Sequence, residues 1–327
     1  MSSPASLLFI IDPLTTLNPK KDSTIAMMEA AQKRGIRVGV IEDGGLAWSQ
    51  ADGVTGAVKW LHVDMLGHPW WMVRGESRLP LKSAGAVVMR KDPPFDAEFV
   101  AATWLLEQAE REGAVVLNKP SALRDHNEKF SIAQFQQFTV PTVVTRRPQD
   151  VRDFVDAHGL VILKPLDGMG GESIFRLQQG DPNIGVILET VTQRGRRTVM
   201  VQRYIPDIAD GDKRVLLIAG QAVPYALARL PKAGEHRGNL AAGGTARAQP
   251  LSVRDSEIAG TLAPTLFARG LFLVGLDIIG DYLTEVNVTS PTCFREIEMQ
   301  TGFDVAGLFI DQLMQLPQMA GRTGGGA

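Results

Sequence analysis

The sequence predicts an α/β protein in which a parallel-sheet domain comes first and two smaller α+β lobes follow. In the first third of the chain, short β-branched runs alternate with amphipathic stretches, which is typical of a parallel sheet flanked by helices. The 327 residues also exceed what one hydrophobic core usually needs. We therefore expect domains at residues 1–122, 123–206 and 207–318, with a low-complexity, disordered tail at 319–327.

The first predicted domain places two helices between strands. Ser23 precedes the first helical segment and Gly35 follows it, which predicts Ser23 as the N-cap and Gly35 as the C-terminal cap. Residues 42–83 are rich in glycine and tryptophan without clear periodicity, and no element is predicted there. The predicted strands are 7–11, 37–41, 86–89 and 114–117, and the predicted helices are 23–34 and 97–112.

In the two predicted lobes, the strands and helices are marked mainly by turn and helix-end signals. The X-Pro step at Ile205 ends the last strand of the first lobe, and Gly220-Gln221 joins two long strands of the second lobe as a hairpin. The polar, glycine-rich stretch 231–245 is long enough to indicate a functional loop. The predicted strands are 141–145, 160–164, 199–204, 212–219, 222–230, 272–279 and 283–288, and the predicted helices are 125–137, 149–157, 252–269 and 305–315.

Charge and cysteine content disfavour several classes of function. The 34 basic and 36 acidic residues leave a net charge of −2, which gives no electrostatic footprint for nucleic acid or an anionic membrane. No apolar run approaches the roughly 20 residues that span a bilayer. Cys293 stands alone, so we expect it to be a packing residue in a cytoplasmic protein without disulfides. The 5 histidines have no zinc-site spacing, so any metal is expected to bind oxygen.

A predicted strand that ends at Lys164 runs into a turn containing Gly168, Gly170 and Gly171. Glycine lets backbone amides approach a phosphate closely, and the lysine supplies a charge beside it. The turn joins two strands, however, and fits neither the P-loop nor the dinucleotide fingerprint. A phosphate-binding loop and an ordinary hairpin with a flexible tip are equally good interpretations of this motif alone.

Three oxygen-bearing side chains near the C-terminus are candidate ligands for a magnesium ion: Asp277, Glu285 and Asn287. Side chains alternate along a strand, so Glu285 and Asn287 share a face. A two-residue turn at 280–281 would put Asp277 and Glu285 on opposite faces, whereas a three-residue loop at 280–282 would pair them. We predict the three-residue loop. The alternative is that these are solvated charges on an edge strand.

Three arginines form another candidate group, with Arg214 and Arg229 on the two long strands and Arg237 in the glycine-rich stretch. Guanidinium groups clamp carboxylates or phosphates bidentately. A lone arginine on a strand is usually a solvated surface residue, but three that converge on one site would suit an enzyme that activates an acid.

Five long strings contain these residues and are far more specific than any single motif: MRKDPPFD at 89–96, ILKPLDGMGG at 162–171, RGNLAAGG at 237–244, GLDIIGD at 275–281 and TEVNVTSPTC at 284–293. Through them the chain resembles the bacterial glutathione synthetases, a family of ATP-grasp ligases, over residues 11–316. The resemblance implies a parallel-sheet substrate domain followed by a two-lobed α+β ATP-grasp domain. It also implies a homotetramer that joins γ-glutamylcysteine to glycine, consumes ATP, and uses Mg²⁺ or alternatively Mn²⁺.

The resemblance also implies roles for individual residues. Nucleotide binding is implied for Lys129, Lys164, Gly168, Met169, Gly170, Gly171, Gln202, Tyr204, Ile205 and Asp212. Metal binding is implied for Asp277, Glu285 and Asn287. Substrate binding or catalysis is implied for Arg90, Arg214, Arg229, Arg237, Asn239 and Ser290. The stretch 231–245 resembles a mobile loop that shields the reaction intermediate.

Two other functions stay open at this point. Another ATP-grasp carboxylate–amine ligase, of the D-alanine–D-alanine or glutamate-adding type, would share the metal and phosphate residues but differ in the substrate cleft. A non-catalytic nucleotide-binding module would keep the fold without the reaction. The chain departs from the family at residues 1–6, at 44–83 and at its glycine-rich end, none of which touches the expected chemistry.

Overall fold

The computed structural model describes residues 5–168, 170–232 and 245–319, whose strands form three sheets flanked by helices. The α/β class predicted from the sequence is confirmed. The helices are α1 (Ser23–Lys33), α2 (Ala97–Arg111), α3 (Pro120–Asp125), α4 (Pro148–His158), α5 (Ile184–Val191), α6 (Val253–Ala268), α7 (Phe294–Thr301) and α8 (Val305–Met314). Within the described ranges, no helix is long and apolar enough to cross a membrane.

The first sheet has seven strands in the order β3-β4-β2-β1-β6-β7, with β5 paired to β4. The strands are β1 (Ser6–Ile10), β2 (Arg37–Ile41), β3 (Leu46–Ser49), β4 (Gly53–Val63), β5 (Trp71–Pro80), β6 (Ala86–Met89) and β7 (Val116–Leu117). The central strands β2, β1, β6 and β7 are parallel, as predicted. Apolar runs continue along these strands because both faces are covered: Leu7 and Phe9 pack in one core with α1 and α8, and Leu8 and Ile10 pack in another with α2.

Strands β3, β4 and β5 lie in the segment 42–83, for which the sequence predicts no element. All three pair antiparallel, and they extend the parallel sheet at its β2 edge. Strand β5 is exposed along most of its length. It therefore carries no regular alternation of buried and exposed side chains that could reveal a strand in the sequence.

Helix α1 begins at Ser23, but its N-cap is Asp22, whose Oδ1 accepts a hydrogen bond from the amide of Ile25 at 2.9 Å. The predicted Ser23 cap is wrong because Ser23 is buried and its hydroxyl accepts a hydrogen bond from the amide of Phe294 at 3.2 Å. Gly35 has φ +73° directly after the C-cap residue, as the predicted C-terminal glycine requires.

The second sheet is antiparallel, in the order β10-β9-β11-β8. Its strands are β8 (Thr142–Thr145), β9 (Leu160–Pro165), β10 (Phe175–Gln178) and β11 (Val199–Arg203). Helices α4 and α5 cover it, and a separate apolar core that includes Val161, Leu163 and Val199 lies between sheet and helices. The second lobe therefore has a core of its own.

The helix predicted at 125–137 is wrong, because α3 ends at Asp125 and a 3-10 segment, Phe130–Phe138, follows after a break. Oδ1 of Asn127 accepts hydrogen bonds from the amides of Lys129 at 3.2 Å and Phe130 at 2.9 Å. An asparagine side chain that binds nearby amides in this way competes with helix continuation. The break leaves Glu128 and Lys129 free to contribute side chains to the cleft described below.

The third sheet is antiparallel, in the order β14-β13-β12-β15-β16. Its strands are β12 (Asp212–Ile218), β13 (Gln221–Leu230), β14 (Thr245–Pro250), β15 (Leu273–Ile279) and β16 (Tyr282–Asn287). Ile218 pairs with Gln221, so the hairpin turn is Ala219-Gly220 and the predicted turn is displaced by one residue. Both turn residues have positive φ, +51° and +78°, which is the requirement of a type I′ hairpin turn.

Asn118, next to β7, joins the first sheet to the third. Its Nδ2 donates to the carbonyls of Leu273 and Val288, both at 2.8 Å, and its Oδ1 accepts from the amide of Leu273 at 2.9 Å. The side chain is buried, so these three bonds satisfy an otherwise costly polar group. The carboxyl end of the parallel sheet is thereby fixed beside β15 and β16.

Candidate active site

Asp277 and Glu285 lie opposite each other on β15 and β16. This pairing agrees with the prediction, but the three-residue loop that was to produce it is wrong, because the turn consists of residues 280–281 alone. A β-bulge at Thr284 supplies the odd residue. The bulge therefore brings the two carboxylates together on one face of the sheet.

Two of the three predicted arginines converge on Asp277. Arg214 pairs with Asp277 in the ladder of β12 and β15, and its Nε and Nη2 donate to the two carboxylate oxygens at 2.6 and 3.2 Å. Nη2 of Arg229 lies 2.9 Å from Oδ2 of Asp277 and 2.6 Å from Oδ2 of Asp212. Arg237 and Asn239 lie outside the described residues, as do residues 233–244 of the predicted loop and residues 320–327 of the tail.

Gly275 makes room for Arg214, a role that the motif analysis missed. A Cβ atom at this position would lie 2.9 Å from Cδ and 3.1 Å from Nε of Arg214. Only glycine therefore allows the arginine to lie across β15 and reach Asp277. A glycine inside a buried strand is the signal that could have identified this close approach.

The charges on this sheet face shift one another's pKa values. Burial alone would raise the pKa of Asp277, but Arg214 and Arg229 outweigh burial and hold it well below its usual range. Burial likewise opposes ionisation of Glu285, whose pKa is nevertheless lowered by Lys164 and then Lys129. Asp277 and Glu285 are therefore ionised at neutral pH.

The pKa of Asp212 is raised, whereas the pKa values of Asp277 and Glu285 are lowered. Burial raises its pKa to about 7, with Asp277 and Glu285 adding to the rise against the effect of Arg229. Within the part of the chain that the structure describes, its buried Oδ1 has no hydrogen-bond partner. Asp212 also lines the cleft.

Two lysines bring the second lobe onto the same face of the third sheet. Nζ of Lys164, on β9, lies 3.1 Å from Oε1 of Glu285, and Nζ of Lys129 lies 3.9 Å from the same oxygen. Both lysines are buried, with 4% and 5% of their surface exposed. Buried ammonium groups need anions beside them, so the site suits a multiply charged ligand such as a polyphosphate.

These side chains line one cleft of about 320 Å³ between the second lobe and the third sheet. Its volume lies in the range of small-molecule sites. The predicted nucleotide residues that line it are Lys129, Lys164, Gly168, Gly170, Gly171, Gln202, Tyr204, Ile205 and Asp212. Met169 lies outside the described residues. Ile162, Ile174 and Ile208 add an apolar wall that is suited to a flat aromatic base.

The predicted substrate residues Arg90 and Ser290 occupy different positions. Ser290 lines the cleft. Arg90 is not among the cleft-lining residues: it is buried behind them, where Nη2 donates to the carbonyl of Pro291 at 2.9 Å and Nε donates to Oγ1 of Thr24 at 3.0 Å. Arg90 therefore supports the cleft wall through Pro291.

Glu128 is a cleft residue that the sequence analysis did not identify. Its Oε1 accepts three hydrogen bonds, from the amides of Val288 and Thr289 at 2.9 and 3.0 Å and from the hydroxyl of Thr289 at 2.9 Å. The carbonyl of Glu128 also accepts from the amide of Val286 at 2.8 Å. Glu128 thus fastens β16 to the segment that carries Lys129. A lone glutamate in a misassigned helix gives no signal of this contact.

The donor atoms on β15 and β16 fit a divalent metal that is shared with phosphate. Nδ2 of Asn287 donates to the carbonyl of Gly275 at 3.2 Å, which leaves the amide oxygen as the ligand atom beside Asp277 and Glu285. Among the described residues, no cluster of three or more His, Cys, Asp or Glu could hold a metal by itself. Two carboxylates and one amide are the incomplete, hard-oxygen set that Mg²⁺ takes when phosphates and water complete its coordination.

Solved structures share this fold over almost the whole chain. D-cycloserine synthetase DcsG has a TM-score of 0.65 at 17% identity and covers 94% of this chain and 98% of its own. The ATP-grasp ligase PsnB, solved with a minimal precursor, Mg and ADP, has a TM-score of 0.62 at 17% identity and covers 96% and 98%. The fold and the two-lobed cleft define an ATP-grasp ligase, a class of enzyme that uses ATP and a divalent metal.

Family models and curated relatives show to which family of ATP-grasp ligases the chain belongs. The prokaryotic glutathione synthetase N-terminal domain matches residues 6–124, and the prokaryotic glutathione synthetase ATP-grasp domain matches residues 128–302. Glutathione synthetase of Ralstonia nicotianae is 57% identical over 320 residues, covering 98% of both chains. That of Nitrosomonas europaea is 54% identical over 311 residues, covering 94% of this chain and 97% of the relative. The chain belongs to the prokaryotic glutathione synthetase family.

Proposed function

We propose that this protein joins the cysteinyl carboxylate of γ-glutamylcysteine to the amino group of glycine, with conversion of ATP into ADP and phosphate. One observation carries the proposal. The face of the third sheet that bears Asp277 and Glu285 lies against the buried ammonium groups of Lys164 and Lys129 in a single cleft. Such a site holds a polyphosphate against a metal. Membership of the family supports the choice of substrates.

The reaction needs ATP because a free carboxylate is a poor electrophile. Transfer of the γ-phosphoryl group to the cysteinyl carboxylate gives an acyl phosphate, which the glycine amine attacks with release of phosphate. Lys129 and Lys164 bind the phosphates, and Arg214 and Arg229 stabilise negative charge on the substrate carboxylate and the tetrahedral intermediate. Arg237 and Asn239 stay predicted contributors to this step, and the stretch 231–245 stays a predicted shield against water.

Mg²⁺, or Mn²⁺ in its place, is the metal that we assign to Asp277, Glu285 and Asn287. When bound, the metal supplies positive charge that neutralises the phosphates during transfer. Asp277 already contacts Arg214 and Arg229, so its carboxylate is shared between the arginines and the metal site. The arginines hold this ligand ionised and fixed in orientation.

Release of ADP by the purified protein tests the substrate assignment. Release is expected with ATP, a divalent metal, γ-glutamylcysteine and glycine together, and not when either γ-glutamylcysteine or glycine is omitted. D-alanine, glutamate and other amino acids serve as competing acceptors or donors. Faster release with another pair would favour a different ATP-grasp ligase, and the absence of release with any pair would favour a nucleotide-binding module.

We also propose that the protein is a homotetramer and that it acts in the cytoplasm, where ATP is available. Both statements rest on the family resemblance. Sedimentation velocity of the purified chain tests the first, since a tetramer has four times the 35.5 kDa mass of one chain. Fractionation of cells that express the chain tests the second.

A further inference from the structure

The loop after β9 carries the cleft glycines but receives little support from its own sheet. We call its described residues, 166–168 and 170–174, the glycine loop. Pairing between β9 and β10 begins only at Leu163 and Phe175, so the glycine loop lies outside the ladder. Gly170, Gly171 and Ser173 have φ of +64°, +79° and +56°. Other parts of the molecule must therefore hold this loop over the cleft.

Among the residues that the structure describes, three side chains hold the glycine loop. Nδ2 of Asn127 donates to the carbonyl of Leu166 at 3.1 Å, and Nζ of Lys129 donates to the carbonyl of Gly168 at 2.6 Å. The third contact is an ion pair between Nη2 of Arg197 and Oδ1 of Asp167. Lys129 is also a proposed phosphate ligand, so a bound nucleotide competes for its ammonium group. The contact made by Arg197 is free of that competition.

Arg197 projects from a firmly anchored turn. The amides of Arg196 and Arg197 donate to the carbonyl of Thr192 at 2.9 and 2.8 Å, and the amide of Gly195 donates to its hydroxyl at 3.0 Å. Thr192 is completely buried. Strand pairing of Val199 with Pro165 then places this turn beside the start of the glycine loop. The guanidinium group is thus supplied from a fixed support.

The carboxylate of Asp167 needs a cationic partner because it lies next to the proposed phosphate site. Gly168, Gly170 and Gly171 line the cleft, whereas Asp167 is not among its lining residues and 55% of its side chain is exposed. A carboxylate next to a phosphate site repels phosphate unless a cation neutralises it or holds it away. The ion pair with Arg197 does both.

We propose that Arg197 is a positioning residue for nucleotide binding, which acts through Asp167 to hold the glycine loop over the β- and γ-phosphates. The inference rests on the proposed function, because it assumes that the cleft binds ATP. The pair is exposed, so its contribution to the stability of the whole fold is small. Its effect on phosphate binding is therefore separable from folding.

The test compares AMP-PNP with AMP by isothermal titration calorimetry in the presence of Mg²⁺. Arg197→Gln is expected to weaken AMP-PNP binding by about 3–5-fold, the upper part of the range for one partly exposed ion pair. AMP lacks the β- and γ-phosphates, so its affinity is expected to change by less than about 2-fold. Arg197→Lys is expected to recover part of the loss, because the charge is kept without the planar fork.

Arg196→Gln is the matched control. Arg196 lies one residue away, is exposed, and its Nε donates to the carbonyl of Gln193 in its own turn, with no ion pair to another described residue. This variant is expected to bind both nucleotides like the wild type. The double variant Arg197→Gln/Asp167→Asn is expected to bind AMP-PNP more tightly than Arg197→Gln, because no unpaired carboxylate remains. In steady-state assays, Arg197→Gln is expected to raise the KM for ATP and to leave the KM for γ-glutamylcysteine unchanged.

Two results would overturn the inference alone: equal AMP-PNP affinity in Arg197→Gln and Arg196→Gln, or an equal loss for AMP and AMP-PNP in Arg197→Gln. The second result would mean that the arginine supports the lobe and not the phosphates. Failure of the wild-type protein to bind AMP-PNP would be a different outcome, since it would reject the proposed function and the inference with it.

Discussion

Asp277 and Glu285 are paired across β15 and β16 although only two residues, 280–281, form the turn between these strands. The β-bulge at Thr284 makes this possible. Leu283 is fully buried in the apolar core, whereas Glu285 lines the cleft. In a regular strand these two residues would share a face. The bulge breaks the alternation, so one strand serves both the core and the site.

The charge of Glu285 is the first feature to test, with Glu285→Gln. The substitution keeps the size of the side chain but removes the charge that faces Lys164 and Lys129. Turnover measured by ADP release is expected to fall by about 100-fold or more, because a proposed metal ligand is weakened. Calorimetry without metal is expected to show no loss of ADP affinity, since the two lysines no longer have a competing anion.

Glu257→Gln is the control for this variant. Glu257 lies on α6 and pairs only with the nearby Arg254 among its described contacts. Its substitution is expected to leave turnover unchanged. Unchanged turnover in Glu285→Gln itself would contradict the assignment of Glu285 and revive a nucleotide-binding module.

Space at Gly275 is the second feature to test, with Gly275→Ala. The added methyl group would lie 2.9 Å from Cδ of Arg214 and displace the guanidinium group from Asp277. Turnover is expected to fall by about 10-fold or more through misorientation, and the free energy of unfolding by about 1–3 kcal/mol through overpacking. ADP release and urea unfolding measure the two effects.

Gly260→Ala is the matched control, because Gly260 lies in α6 and nothing lies within 4 Å of the position that its Cβ would take. This variant is expected to be more stable by about 0.5–1 kcal/mol, since alanine favours the helix. Turnover of Gly275→Ala equal to that of Gly260→Ala would show that the position of Arg214 does not matter.

The sequence could predict the α/β fold and most of the cleft because both depend on local patterns. Apolar runs mark β1, β2 and β6, and the strings around Lys164 and Asp277 contain the glycines and acidic groups of the site. The resemblance placed these residues in one cleft. The distances between these residues depend on how the lobes pack, and no single sequence string predicts that packing.

The failures have physical causes that can be located. Leu283 and Val286 are both core residues although they are three positions apart. Apolar residues at this odd spacing indicate a bulge, whereas the prediction used a three-residue loop to reach the same pairing. The exposed β5 has no buried face to produce a pattern. The assignment of Arg90 to substrate binding stays a prediction from resemblance, and its burial behind Pro291 is a property of packing that no local pattern contains. The contacts of Glu128 with β16 join residues 160 positions apart.

The contacts of Asn118 are the third feature to test, with Asn118→Ala. The variant loses three buried hydrogen bonds, to Leu273 on β15 and to Val288 directly after β16, and leaves these backbone groups without this partner. The free energy of unfolding is expected to fall by about 2–4 kcal/mol. Asn183→Ala, at the exposed N-cap position of α5 where the side chain makes no capping hydrogen bond, is expected to change it by less than about 0.5 kcal/mol. Equal stability of the two variants in urea unfolding would refute the role of Asn118 in joining the sheets.

The last feature is Glu29 on α1, which gives the stability of the fold a dependence on pH. Its carboxylate lies 2.9 Å from Nζ of Lys33 and 3.3 Å from Nη2 of Arg295 on α7. Burial alone would raise the pKa of Glu29, but these two cations outweigh burial and lower it. A carboxyl with a lowered folded pKa stabilises the fold above its ordinary pKa of 4.5, and that stabilisation is lost as the pH falls through the folded pKa.

Glu29→Gln is therefore expected to lower the free energy of unfolding at neutral pH by about 0.5–1 kcal/mol, the range for partly exposed ion pairs. The difference from wild type is expected to narrow as the pH falls below 4.5. Glu298→Gln on α7 should act in the opposite direction, because burial, with Asp304 beside it, raises the pKa of Glu298. Removal of that charge is expected to raise the free energy of unfolding slightly at neutral pH. Urea unfolding across this pH range measures both variants, and a loss in Glu29→Gln that did not vary with pH would mean that packing, and not charge, explains the contribution of Glu29.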